Sequence, residues 1–228
     1  MIKIDISKLE KTIGIEFKNK NLLKEALTHR SYLNENPSWG KHNERLEFLG
    51  DSVLELITSE FLYEKYPNEN EGQLTVLRAA LINYQMLAQV AREIELENYL
   101  LLSKGEAKDT GKGREAILAD AFEALLAAIY LDRGYKISEN FVIKFVLPHL
   151  DEIEKKQLYK DPKSLLQEMI QEQSKLTPTY KVLEENGPDH QRIFRVGVYV
   201  GEKLIAEGKG SSKQEAEINA ASQALSSL

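Results

Sequence analysis

The sequence predicts two folds in series: an all-α N-terminal domain over residues 1–154 and a small α+β domain, ordered α-β-β-β-α, over 161–228. Three observations predict this. Up to about residue 154 the apolar residues recur at helical spacing, segment after segment. Around Glu154-Lys-Lys-Gln-Leu-Tyr-Lys-Asp-Pro162 a charged stretch breaks the pattern, which places a linker at 155–160. Beyond it, β-branched and aromatic residues gather in short runs between two helical segments.

In chain order, Ile6–Thr12 reads as a short amphipathic turn. Asn19 caps a helix that runs to Thr28 and carries Leu22, Leu23, Ala26 and Leu27. Pro37 and Gly40 mark residues 34–41 as a loop. A long helix follows from His42 to Tyr66, ended by the Tyr-Pro step at Pro67. Asn68–Gly72 is a polar turn, and Leu74–Ile94 reads as one further helix. A Lys/Gly-rich loop, Glu106–Gly113, leads to a helix at Ala116–Leu131, and Ser138–Leu147 is the last helix before Pro148. In the tail, Asp161-Pro162 is a cap followed by a residue suited to the first helical position. It starts a helix over 162–174. Strands at 180–184, 191–200 and 203–209 follow, the last two joined by a Gly201-Glu202 turn, and a helix over 212–226 closes the chain.

Composition narrows the function classes. The chain has 228 residues, 42% of them hydrophobic, enough for a genuine core. It has no cysteine, which excludes disulfides and thiolate metal sites and points to a reducing, cytoplasmic setting. The start lacks the apolar core of a signal peptide, and no apolar run approaches the roughly 20 residues that span a bilayer. The net charge of −6 does not advertise nucleic-acid binding.

The chemistry lies in two acidic stretches. Between Ala116 and Leu131 the charged residues are Asp120 and Glu123, in a run apolar around its whole helical circumference and therefore expected to be buried. At i and i+3 they point the same way, and buried like charges are costly without a cation. The second stretch, H-N-E-R-L-E-F-L-G-D-S-V-L, puts Glu44, Glu47 and Asp51 on one helix face, opposite Leu46, Leu49, Val53, Leu56 and Ile57. A solvated acidic face would look the same, and Asp120 or Glu123 could instead pair with Arg45, Arg78 or Arg114. Gly50 argues for close approach of another element, since a mid-helix glycine costs about 1 kcal/mol relative to alanine. A shared Mg2+ would account for both acid sets, because hard divalent ions take carboxylate oxygens and can promote phosphodiester hydrolysis. Without clustered histidine, zinc does not fit; His29, His42 and His149 are scattered and read as structural.

The tail carries candidate RNA-contacting groups. Helix 162–174 sets Leu165, Leu166, Met169 and Ile170 on one face and Ser164, Gln167, Glu168 and Gln171 on the other. Such side chains suit 2′-hydroxyls and base edges in a shallow minor groove, though an ordinary polar face would show the same pattern. Gly187-Pro188-Asp189-His190 is a turn by composition. Lys209 and Lys213 flank the start of the last helix, where backbone N–H groups could seat a phosphate; the glycines there could equally serve only the turn. Residues 161–228 hold eight Lys/Arg against ten Asp/Glu, so any basic surface is local.

Taken together these segments resemble bacterial ribonuclease III. Residues 42–54 are similar to that family's signature, and I-L-A-D-A-F-E-A-L (117–125) to its second acidic helix. D-P-K-S-L-L-Q-E (161–168), G-P-D-H (187–190) and G-K-G-S-S-K (208–213) resemble a double-stranded RNA-binding domain. The resemblance covers nearly the whole chain in the family's order. It implies a homodimer of endonuclease domains that hydrolyses duplex RNA with Mg2+, Mn2+ being able to substitute. It implies products with 5′-phosphates, 3′-hydroxyls and short 3′ overhangs, in rRNA and mRNA processing. By position it implies Glu47, Asp51, Asp120 and Glu123 as the metal and catalytic set, Asp51 and Glu123 foremost. Glu44 and Glu71 match further acids of the cleavage valley, and Phe48 an aromatic contact across the dimer. Ser164, Gln167, Glu168, Gln171, His190 and Lys213 match RNA contacts. The family's lysine-rich start to the last helix is thinned to Lys213, Gln214 and Glu217, which implies weaker, less salt-dependent phosphate attraction. Ala116 replaces the usual serine after Arg114-Glu115, a change with little expected effect.

Overall fold

The computed structural model describes residues 5–108, 110–155, 162–187 and 192–227. Contacts divide the chain into two compact units, Met1–Tyr159 and Lys160–Leu228. Apart from Lys155, the expected linker lies outside the described residues.

The first unit is built of α1 (Ile6–Ile13), α2 (Lys20–Ala26), α3 (Arg30–Glu35), α4 (Glu44–Lys65), α5 (Glu71–Ile82), α6 (Tyr84–Glu93), α7 (Lys112–Arg133), α8 (Tyr135–Phe145) and α9 (Leu150–Lys155). Short 3-10 turns lie at Leu96–Tyr99, Glu106–Lys108 and Leu147–His149. Helix α7 runs through the middle, packed against α2, α4, α6 and α8. Its Leu118, Ala121, Phe122 and Leu125–Ile129 are wholly buried. Two residues expected inside are not: Leu131 is 52% exposed on the last turn of α7, and Leu56 is 57% exposed on α4.

Several boundaries differ from the sequence reading. Helix α7 begins at Lys112, inside the expected Glu106–Gly113 loop, rather than at Ala116. The expected single helix Leu74–Ile94 is two, broken at Asn83, whose backbone is extended (ψ 159°). The Asn83 side chain accepts from the Met86 N–H and donates to the Ala80 carbonyl, so a polar group that competes with the backbone ends one helix and caps the next. Helix α3 occupies the start of the expected 34–41 loop and is capped by the His29 ring, which accepts from the Ser31 N–H. Helix α8 begins at Tyr135, immediately after Gly134, whose φ of +80° ends α7. Pro148 does not end the helical run. It sits in the first turn of a new one, where its missing N–H is harmless, and α9 follows.

The second unit comprises α10 (Pro162–Ser174), β1 (Pro178–Asn186), β2 (Ile193–Val200), β3 (Lys203–Gly210) and α11 (Lys213–Leu225). The strands form an antiparallel sheet in the order β1-β2-β3, with Tyr180 opposite Val198 and Val198 opposite Ala206. Alternate residues Phe194, Val196 and Val198 of β2 are buried. Val198 joins Leu166, Ile170, Ala220, Ala221 and Ala224 in a small core beneath α10 and α11. Gly208 and Gly210 are there for close packing. A Cβ on Gly208 would lie 2.2 Å from the Ala220 nitrogen, and one on Gly210 would lie 2.6 Å from that of Ala216. Their use extends beyond the strand-to-helix turn expected of them: they let β3 lie directly on α11.

Candidate active site

The acidic helix α4 is fastened at its start. The Asn43 N–H donates to the Thr28 carbonyl (2.9 Å), and the His29 N–H to the Leu101 carbonyl (3.0 Å). Trp39 Nε1 donates to Thr28 Oγ1 at 3.1 Å. Residues 28–29 thus tie the beginning of α4 to the segment that leads towards α7.

Seven residues into α4, Gly50 meets α7. An added Cβ would lie 1.9 Å from the Glu123 carbonyl oxygen, closer than any side chain can come. The expectation of a close approach at Gly50 is met, and the element that approaches carries the second acid pair. Helical spacing then sets Glu47 and Asp51 on the same side of the contact as Asp120 and Glu123.

The electrostatics are those of acids that lie close together. Burial pushes the Glu123 carboxyl up to about 8, helped by the charges of Asp51, Asp120, Glu47 and Glu55. Burial also raises Glu47, assisted by Asp120, Glu44 and Asp51. Asp120 is raised by burial and then by Glu44. Among the described residues none of Glu47, Asp51, Asp120 and Glu123 makes an ion pair. None of the three arginines that could have neutralised them is seen to pair with them among the described residues. Arg78 Nη1 donates to Ser59 Oγ (2.8 Å), Arg114 Nη1 is buried without a partner, and Arg45 is exposed. Carboxyl groups that share a half-buried space, repel one another and lack a counter-ion fit a divalent cation. Among the described residues no three acidic groups are gathered into a ready-made ligand cage. Mutual repulsion opposes such closure, and an ion that keeps several waters does not require it.

Glu44 is the exposed end of the cluster and does have a cationic partner: Arg30 Nη1 lies 3.3 Å from its carboxylate, and the His42 ring nitrogen Nδ1 lies 3.8 Å from it. Glu71 is not brought to the four acids. It opens α5, accepts from Thr75 Oγ1, and lines a cleft of about 700 Å³ with Leu56, Tyr63, Leu74 and Arg78. Phe48 projects outwards, 80% exposed. Sequence reasoning missed Glu55, although it continues the 47-51 stripe at i+4. It also missed Arg30 as a neighbour of Glu44, for which no local signal exists because the two are joined only through the Thr28–Asn43 backbone bond.

In the second unit Ser164, Gln167, Glu168 and Gln171 are exposed on α10, opposite buried Leu166 and Ile170. Lys209 is exposed on β3 and Lys213 opens α11, its Nζ 5.7 Å from the centre of the Phe194 ring. Ser212 caps α11 by accepting from the Glu215 N–H, while the Glu215 carboxylate accepts from the Ser211 N–H. His190 and most of the 187–190 turn lie outside the described residues. Among the described residues no helix is long and apolar enough to cross a membrane.

Fold and site together define a class: a helical domain with a half-buried cluster of carboxylates, in one chain with an α-β-β-β-α module. Comparison with known proteins agrees. A Ribonuclease-III-like family model matches residues 19–150, and a double-stranded RNA binding motif matches 162–228. Ribonuclease 3 of Borreliella afzelii is 46% identical over 99% of this chain and 92% of its own length. Ribonuclease 3 of Protochlamydia amoebophila is 44% identical over 96% and 90%. The nuclease domain of ribonuclease III from Campylobacter jejuni is 41% identical and covers 62% of this chain and 95% of its own, with a TM-score of 0.57. The chain belongs to the ribonuclease III family; it is an endoribonuclease with a double-stranded RNA-binding motif.

Proposed function

We propose that the chain is a Mg2+-dependent, homodimeric endoribonuclease that cuts both strands of duplex RNA during rRNA and mRNA processing in the cytoplasm. Residues 1–154 form its endonuclease domain, 155–160 the linker and 161–228 the RNA-binding domain. One observation supports the reading: the Gly50 backbone lies against Glu123, so that the charges of Glu47, Asp51 and Asp120 act on the Glu123 carboxyl, and none of the four has a basic partner among the described residues.

Glu47, Asp51, Asp120 and Glu123 would hold Mg2+, and Mn2+ in its place. When bound, the ion supplies Lewis acidity at a phosphodiester and makes water a better nucleophile near neutral pH. The protein's part is positional. Glu123, whose carboxyl burial pushes up to about 8, would be ionised where it held the cation, together with Asp51. Glu47 and Asp120 would orient the remaining oxygens, and Glu44 would add negative charge at the exposed end of the cluster, whereas Glu71 lines a separate cleft. Attack in line with the departing 3′-oxygen yields a 5′-phosphate and a 3′-hydroxyl, with short 3′ overhangs when two subunits cut opposite strands. Phe48 would pack on the second subunit. The C. jejuni structure concerns a region involved in dimer formation of that nuclease domain, which supports a dimer here. Ser164, Gln167, Glu168, Gln171, His190, Lys209 and Lys213 would contact the duplex. They would read mostly shape and 2′-hydroxyls, so sequence preference is modest.

The test is a gel of end-labelled duplex RNA with and without Mg2+. Discrete cleavage of both strands that depends on the ion, with ends that accept 3′ ligation without phosphatase treatment, is the expected result. RNA left whole at saturating Mg2+ would show a binding protein and overturn the proposal.

A further inference from the structure

Arg30 has no role in the site described so far. It is the first residue of α3, and the His29–Leu101 and Thr28–Asn43 backbone bonds hold it beside the start of α4. Its guanidinium lies 3.3 Å from Glu44, with the side chain 71% exposed. Such an exposed, single-contact pair is weak and easily exchanged. It has a singular position, however. Glu44 is the acid whose charge is felt by both Glu47 and Asp120, and Arg30 is the arginine paired with it among the described residues. A cluster of carboxylates repels a polyanionic substrate. A guanidinium at its rim offers a planar fork that matches a phosphate better than it matches one carboxylate oxygen at 3.3 Å.

We propose that Arg30 is a substrate-positioning residue: it exchanges Glu44 for a non-scissile phosphate of the duplex next to the cleavage point. This rests on the nuclease reading above. The arginine would guide the backbone past the acids without taking part in bond cleavage. Loss of Arg30 would therefore weaken capture of the substrate and leave the chemical step intact.

Wild-type and Arg30→Gln proteins should be compared in Mg2+-dependent cleavage of one duplex RNA. Binding should be compared at several salt concentrations in a Glu123→Gln background that leaves the RNA whole. The expected result is a KM raised about tenfold, kcat within about twofold, and a salt dependence shallower by about one unit of slope, the signature of one lost phosphate contact. Arg30→Lys should recover part of the KM and the whole slope, since it keeps the charge and loses the fork. A fall in kcat with KM and slope unchanged would overturn the proposal, because Arg30 would then act only by holding Glu44. Unchanged kinetics in Arg30→Gln, with unfolding temperatures equal to wild type, would overturn it too. Failure of the wild-type protein to cleave would refute the nuclease reading instead, so the two failures are distinct.

Discussion

Glu123 shows how surroundings change the chemistry of a residue. On its own it is an ordinary glutamate; here burial and four neighbouring acids push it up to about 8. Its folded pKa lies above the unfolded value of 4.5, so between those limits the native protein binds a proton that the unfolded chain releases. Stability of the metal-free protein therefore falls as pH rises from about 4.5 towards 8. A cation requires the ionised form and releases that proton. Calorimetry should show the Mg2+-induced rise in unfolding temperature to be larger at pH 8.5 than at pH 5.5. In Glu123→Gln both the pH slope and the Mg2+ effect should shrink. A Mg2+ effect of equal size at both pH values would argue against this assignment. The same substitution should lower cleavage by about 10²–10³-fold, the usual cost of removing one group that acts on the transition state, while filter binding detects unchanged affinity for duplex RNA.

At the scale of elements, the contact between α4 and α7 turns on Gly50. Helix propensity alone would favour alanine there by about 1 kcal/mol. The Cβ would meet a backbone carbonyl at 1.9 Å, and backbone cannot step aside as a side-chain tip can. Overpacking of this kind costs about 3 kcal/mol, so the steric term wins. Gly50→Ala should lower the denaturant midpoint and, by parting Asp51 from Glu123, reduce cleavage beyond what instability explains. An increase in stability would mean that the helices do not touch there. Elements were legible in the sequence wherever periodicity was long and uninterrupted, as in α4, α7 and α10. They were not legible at Asn83, because an asparagine in mid-pattern can face solvent or end a helix. Its bonds to Ala80 and Met86 decide the matter only once the chain is folded. The same holds for Pro148, which lies at the start of a helical turn where the sequence reading had it close the last helix.

For the whole molecule, the apolar side chains left outside α4 matter most. Phe48 is 80% and Tyr63 74% exposed, with Leu56 near Tyr63 in the cleft that Glu71 also lines. Large apolar groups grouped on one helix mark an interaction surface, and a second copy of the domain is the proposed occupant. Phe48→Glu should shift sedimentation from dimer to monomer and depress cleavage at low protein concentration without lowering the helical signal. A dimer that persists would remove Phe48 from the contact.

By itself the sequence determined the helical first domain and the α-β-β-β-α second one, and it singled out the carboxylates proposed to carry the chemistry. Each of these follows from local periodicity, turn chemistry and motif spacing. Only the tertiary structure decided that the two acid pairs meet across Gly50, that Arg30 stands beside Glu44, that Glu55 joins the cluster, and that Glu71 lies apart in another cleft. The physical reason is that charge acts through space over a few ångströms, whereas the chain separates these groups by up to dozens of residues.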